Sequence, residues 1–187
     1  MDKALADRIA ANREMYYRLM SDGNYIDVRF NPQNGALSAI HKNHNFDPTI
    51  GKFGIPRGDY ERISLEVLYE YGKSVILESE KPNNNKQKIN KFSEGFLDGK
   101  RFDIKGVEGT GGRNVIDKIS EAGRQGAESV VLYYHCAYMF DLMKIINAYN
   151  GYLKLSTTKR VKNVYYIVDN KLYKIEHKKN ASDKSLA

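Results

Sequence analysis

The sequence predicts an α+β fold, with N-terminal helices and a twisted, mainly antiparallel sheet, on the strength of three observations. Residues 3 to 20 carry Leu5, Ile9, Met15, Tyr16 and Leu19 at helical spacing, with alanines between. Alternating apolar and polar segments flank three turn signals, at Asn31-Pro32-Gln33-Asn34-Gly35, Asp98-Gly99 and Asp169-Asn170. Around the second of these, Phe96 to Tyr134 reads as strand, tight turn, strand, glycine-rich loop, helix and strand.

Taken in order, the first helix ends at Ser21-Asp22-Gly23, and a hairpin sets Tyr25, Val28 and Phe30 against Leu37 and Ile40. A loop rich in Gly, Pro and His follows. Asp59 then caps a helix over 60–71, with Ile63, Val67, Leu68 and Tyr71 inward and Gly72 as its stop. Ser74 to Leu77 reads as a short buried strand, and Lys81 to Lys88 as a long polar loop. Phe92 to Leu97 pairs with Lys100 to Val107 across Asp98-Gly99. A helix runs from Arg113 to Gln125, and another from His135 to Tyr149 that Asn150-Gly151 ends. Val161 to Val168 and Lys171 to Glu176 form the last hairpin, and the chain beyond Lys178 is polar and frayed. The expected organisation is an appendage over 1–37, a main domain over 38–178 and a tail over 179–187.

Composition narrows the function classes. A hydrophobic content of 41%, with 14 Tyr and 7 Phe, supports a packed core. No apolar run is long enough to cross a membrane, and the charged N-terminus lacks the apolar centre of a signal peptide, so the expected site of action is cytoplasmic, without membrane contact. The single cysteine, Cys136, excludes an intrachain disulfide framework and a multi-cysteine zinc site. The formal charge is +7, and the stretch from Tyr152 to Ala187 holds nine Lys/Arg against three Asp/Glu. A basic segment of that kind suits a nucleic-acid partner, or forms an ordinary solvated surface.

The chemistry concentrates in the central block. The period of two puts Phe102 and Ile104 on one face of a strand and Asp103 and Lys105 on the other. An ordinary salt bridge on a solvated face is the plain reading of that pair. Gly106, Gly109, Gly111 and Gly112 then lead into a helix N-terminus, a natural phosphate site. Along that helix Asn114, Lys118, Glu121 and Gln125 form a stripe at the edge of its buried face, while Arg113, Asp117 and Arg124 point to solvent. Other motifs are discounted. Gly109-Thr110-Gly111-Gly112 lacks the Lys-Ser/Thr of a nucleotide loop, adjacent His135 and Cys136 point to opposite sides of a strand, and His41-x-x-His44 alone is a poor metal site.

The run F-L-D-G-K-R-F-D-I-K-G, a Gly/Thr loop and N-V-I-D-K-I-S-E-A-G-R-Q-G-A-E-S-V-V-L resemble barnase/EndoU/colicin/RelE-like (BECR) nuclease domains. The nearest are those ending phage head-morphogenesis proteins and contact-dependent toxins. The resemblance extends to A-I-H-K-N-H-N-F-D, Y-E-R, S-V-I-L-E-S-E and V-K-N-V-Y-Y-I-V-D-N-K-L-Y-K-I, covering about Ser38 to Glu176. It implies a metal-independent endoribonuclease acting on tRNA or other structured RNA, without a cofactor and with a cognate immunity protein as a partner. Lys105 would stabilise the transition state, with Asp103 beside it. Arg113, Asn114 and Lys118 would bind phosphate, with Thr110 and Gln125 as further substrate contacts. His135, or His41 and His44 in the long loop, would serve as base or substrate ligand.

Two other readings stay open. Glu94, Asp103 and Lys105 fit the acid…acid-x-Lys signature of restriction-endonuclease-like nucleases, on paired strands after an acidic helix with Glu66 and Glu70. There Glu94 and Asp103 would hold Mg²⁺ and the lysine would orient the hydrolytic water, with DNA as substrate. The third is a non-catalytic nucleic-acid-binding or phage structural module using Tyr165, Tyr166, Tyr173 and the basic tail.

Overall fold

A computed structural model of the chain describes residues 2–79, 94–157 and 160–175. The expected loop at Lys81 to Lys88, the first residues of the Phe92 strand, and the tail from Glu176 lie outside them. The first half holds α1 (Lys3–Ser21), β1 (Tyr25–Phe30), β2 (Leu37–His41), α2 (Arg57–Glu70) and β3 (Ser74–Leu77). The second holds β4 (Gly95–Leu97), β5 (Lys100–Gly106), α3 (Gly112–Arg124), β6 (Ser129–Tyr134), α4 (Leu142–Leu155), β7 (Asn163–Val168) and β8 (Lys171–Lys174).

All eight strands join one sheet in chain order, β1 to β8. The fold is α+β, with four of the seven strand pairings antiparallel. The parallel pairings, β2/β3, β5/β6 and β6/β7, are those with a helix between their strands. Parallel neighbours need a long crossover, whereas antiparallel ones need only a turn. Asp98 and Gly99, and Asp169 and Asn170, adopt the positive φ that tight hairpin turns demand. β2 spans the expected boundary at residue 37, and its hairpin with β1 is continuous with the sheet.

Every residue of β6 is buried, as a strand covered on both faces must be. Val130, Leu132 and Tyr134 pack with α3 and α4, whereas Val131 and Tyr133 pack with α2. On β5 the alternation continues. Phe102 and Ile104 join the α2 core, and Asp103 and Lys105 turn the other way. α1 packs Met15, Tyr16 and Leu19 on Leu37 and Ala39 of β2.

Two helices differ from expectation. α2 begins at Arg57, with Pro56 as its cap residue and Asp59 already in the first turn, so proline's fixed φ sets the start rather than an Asp cap. α4 does not run from His135 to Tyr149. A 3₁₀ turn at Ala137–Met139 intervenes, and the helix starts at Leu142, where Asp141 Oδ1 accepts from Lys144 N at 3.2 Å. It continues through Asn150-Gly151 to Leu155. Packing overrides the stop signal here: a Cβ on Gly151 would lie 2.9 Å from Ile116 Cδ1, and one on Gly123 would lie 2.7 Å from Tyr152 Oη. Those two glycines let α3 and α4 approach closely, and the contact holds the last turn helical.

Candidate active site

Five elements converge at one place. β5 supplies Asp103 and Lys105. The Gly95↔Phe102 register brings Glu94, just ahead of β4, opposite Asp103. The last turns of α3 supply Glu121 and Gln125, the first turns of α2 supply Glu61, and the loop after β2 supplies His44.

Lys105 is the hub. Its Nζ lies 3.0 Å from Asp103 Oδ2 and donates to Gln125 Oε1 at 2.9 Å and Glu121 Oε1 at 3.3 Å. Gln125 and Glu121 accept two of the ammonium's three hydrogens, and Asp103 adds an ion-pair contact. Asp103 is 1% exposed and Lys105 9%, so the plain reading of a solvated surface pair does not hold. Asp103 Oδ1 and Glu94 Oε2 are buried and receive no N–H donor among the described residues, and the two carboxyls hydrogen-bond each other. On the far side of Glu94, His44 Nε2 is 3.2 Å from Glu61 Oε2. Ligand atoms of His44, Glu61 and Glu94 all lie within 4.8 Å of one another.

The electrostatics follow from crowding carboxylates out of water. Burial, then the charges of Glu61 and Asp103, pushes Glu94 far above the ordinary carboxylate range. Burial likewise raises Asp103, against the pull of Lys105. For Lys105 burial works against the charge, but Asp103, Glu121 and Glu94 outweigh it and its pKa rises. The lysine is therefore a fixed cation at neutral pH and not a base.

The structure gathers only part of the expected set. Asp103, Lys105, Glu94, Gln125 and His44 come together. Asn114 and Lys118 share the half-buried edge of α3, but helix rise puts them about 10 and 5 Å beyond Glu121. Thr110 and Arg113 are exposed at the start of that helix. His135 sits beyond the end of β6, its ring 5.2 Å from that of Phe53. Because Lys105 pairs with Leu132, His135 lies about 10 Å further along the sheet. His41 ends β2, where its Nδ1 accepts from Asn43 N at 3.1 Å and its ring meets Tyr25 edge-on. Tyr165 and Tyr166 are buried in β7, so they are core residues and not a base-stacking surface; Tyr173 is exposed.

Comparison with protein-family profiles, curated proteins and solved structures returns no match. Among the described residues, no helix is long and apolar enough to cross a membrane.

One participant lay outside the sequence reading of the site, and another was expected in a different role. The acidic helix contributes Glu61 rather than Glu66 or Glu70: Glu66 pairs with Arg29 at 2.8 Å on the surface, and Glu70 is exposed. Helical spacing carried the signal, since Glu61 is in step with Leu65 and Leu68, both buried. His44 was expected as a base or substrate ligand, and a loop, which carries no periodicity, delivers it to Glu61 and Glu94. Its backbone N–H bonds His41 O at 2.8 Å, and Phe46 two residues on is covered by the Arg62 guanidinium, 3.7 Å from the ring centre.

Proposed function

We propose that this chain is a divalent-metal-dependent nuclease that hydrolyses the phosphodiester backbone of DNA through Glu94, Asp103 and Lys105. The observation that carries the reading is a pair of crowded carboxyls, Asp103 and Glu94, that hydrogen-bond each other and receive no N–H at Asp103 Oδ1 or Glu94 Oε2, beside a buried lysine. Carboxyls pressed together out of water are costly in a structural role, yet they are the donor set a hard cation needs. Glu94 and Asp103 are the residues that would hold the ion, and when bound it would polarise a phosphate oxygen as a Lewis acid.

The chain's own residues do the rest. Lys105 stays an ammonium and offers charge and donors to a phosphate oxygen or to the hydrolytic water. Two of its hydrogens bond Gln125 and Glu121, and it reaches substrate by exchanging the longer of these contacts, that to Glu121. Gln125 keeps the ammonium in place during that exchange. Hydrolysis by water needs no 2′-hydroxyl, which leaves DNA within the chemistry.

The test is to incubate the purified chain with DNA and with tRNA, in Mg²⁺, Mn²⁺ or EDTA. DNA cleavage that requires metal and leaves a phosphomonoester supports the proposal. Cleavage of tRNA in EDTA, leaving a 2′,3′-cyclic phosphate, would overturn it in favour of a metal-independent ribonuclease. Salt-sensitive binding without cleavage of either would leave a nucleic-acid-binding module.

A further inference from the structure

The hydrogen bonding of His44 fixes the tautomer of a neutral ring. Its side chain is fully buried, and Nδ1 lies 2.8 Å from the Glu78 carbonyl oxygen. A carbonyl only accepts, so Nδ1 carries the hydrogen and a neutral ring has its lone pair on Nε2. That nitrogen faces Glu61 Oε2 at 3.2 Å, itself an acceptor when ionised. Two lone pairs thus meet in a confined space, and a Glu94 oxygen is within 4.8 Å of both. Either an extra proton or a cation must lie between them.

Three features favour the cation. The ring is held by the Glu78 carbonyl and by an edge contact with Phe46, centroids 4.7 Å apart, an arrangement typical of a histidine that ligates through its other nitrogen. Asp103, 1% exposed, hydrogen-bonds Glu94, so three carboxyls crowd around the single ammonium of Lys105 and the cluster is already short of positive charge. The spacing is also within reach. Three atoms ligating one ion at about 2.1 Å are about 3.0–3.6 Å apart, which His44 Nε2 and Glu61 Oε2 already meet at 3.2 Å, and the Glu94 oxygen needs to move in by about 1–2 Å at most.

We propose that His44 Nε2, Glu61 and Glu94 form a second divalent-cation site, sharing Glu94 with Asp103, that takes Mn²⁺ in preference to Mg²⁺. Mg²⁺ prefers an all-oxygen shell, whereas an imidazole nitrogen favours the first-row transition ions. The inference deepens the nuclease reading, and it rests on that reading only for the ion at Asp103.

The experiment counts ions and needs no cleavage. Chelator-treated full-length protein is titrated with Mn²⁺ and free ion is followed by electron paramagnetic resonance, with Mg²⁺ as competitor. The wild type should bind two Mn²⁺, with at least a tenfold preference for Mn²⁺ over Mg²⁺ at one of them. His44→Asn and Glu61→Gln should each bind one, with that preference gone, and Asp103→Asn should keep the Mn²⁺-preferring ion. Circular dichroism checks that each variant folds. Nitrogen NMR of wild-type histidines, with Zn²⁺ as a diamagnetic probe, covers the case of a variant that does not: the His44 Nε2 resonance should move on adding metal. A single Mn²⁺ unaffected by His44→Asn, or an Nε2 that stays protonated at neutral pH in the presence of metal, would overturn the second site while leaving metal-dependent cleavage possible. Two bound Mn²⁺ with no cleavage of any nucleic acid would instead sink the nuclease reading and leave the site standing.

Discussion

Asp103 and Glu108 are five residues apart, one within β5 and the other just past its end, and both face cations. Glu108 accepts from Arg57 Nη2 at 3.1 Å, Tyr60 Oη at 3.1 Å and Lys52 N at 3.3 Å. Burial pushes its pKa up, but Arg57, the Lys52 amide and Tyr60 more than offset this, and the net direction is down. Asp103 is more deeply buried, has Lys105 as its one cation among the described residues, hydrogen-bonds the crowded Glu94 carboxyl, and shifts upward. Glu108 is satisfied by its own fold and ties the loop before α2 to the end of β5. Asp103 and Glu94 are left short by theirs, which marks a carboxylate that the fold holds ready for something else.

Activity should separate the two places first. Lys105→Ala and Asp103→Asn are expected to lower cleavage by about 10²–10³-fold or more, the scale of losing a transition-state electrostatic contact. Glu108→Gln should leave the chemical step in place. Wild-type rates in Lys105→Ala, measured under single-turnover conditions, would remove the active-site reading altogether.

Stability should move in opposite directions. For Glu94 the folded pKa lies above the unfolded value, so the folded state holds the extra proton. The metal-free protein should therefore lose stability as pH rises from the unfolded carboxylate range, about 4.3, toward the raised folded value. Glu94→Gln should remove that dependence and raise the metal-free melting temperature at neutral pH while abolishing cleavage. Glu108 carries the opposite sign: its contribution is present above the unfolded value and lost as pH falls through the lowered folded pKa. Glu108→Gln should cost about 1 kcal/mol at neutral pH, modest because Arg57 is half-exposed. Thermal melts across pH would show both trends, and a Glu94→Gln protein less stable than wild type at pH 8 would contradict the first. By the same linkage metal binding should release protons and tighten as pH rises, which calorimetry in buffers of different ionisation enthalpy can read.

What could be read in the sequence was local. The Asp98-Gly99 turn fixed the hairpin, and the period of two then placed Asp103 and Lys105 together on one face. The α3 stripe was also legible, because Glu121 and Gln125 follow from helical spacing alone. That Lys105 sits over the stripe's last two turns depends on how the helix crosses β5, which no periodicity carries. His44 was named as a base or substrate ligand, but its place beside Glu61 and Glu94 was not legible for a similar reason: it depends on the path of an irregular loop. α4 overran its apparent stop because Gly151 serves a helix contact made far away in the chain. Local grammar gave the elements, and the pairing between them made the site.

The smallest expected effect tests the one helix where sequence and structure choose different residues. Glu61 and Glu66 are five positions apart on α2, which turns them to different sides of the helix. Glu61 is largely covered and faces His44, whereas Glu66 is half-exposed and forms a two-contact pair with Arg29, at 2.9 and 2.8 Å. If the acidic helix worked through general charge near the site, removing either carboxylate would weaken metal binding alike. If geometry decides, Glu61→Gln should weaken Mn²⁺ binding at least tenfold. Glu66→Gln should change cleavage and Mn²⁺ binding by less than twofold and stability by about 0.5 kcal/mol or less, as exposed pairs do. A clear loss of Mn²⁺ binding in Glu66→Gln would mean that the site responds to the field of the whole helix and not to the carboxylate at hand.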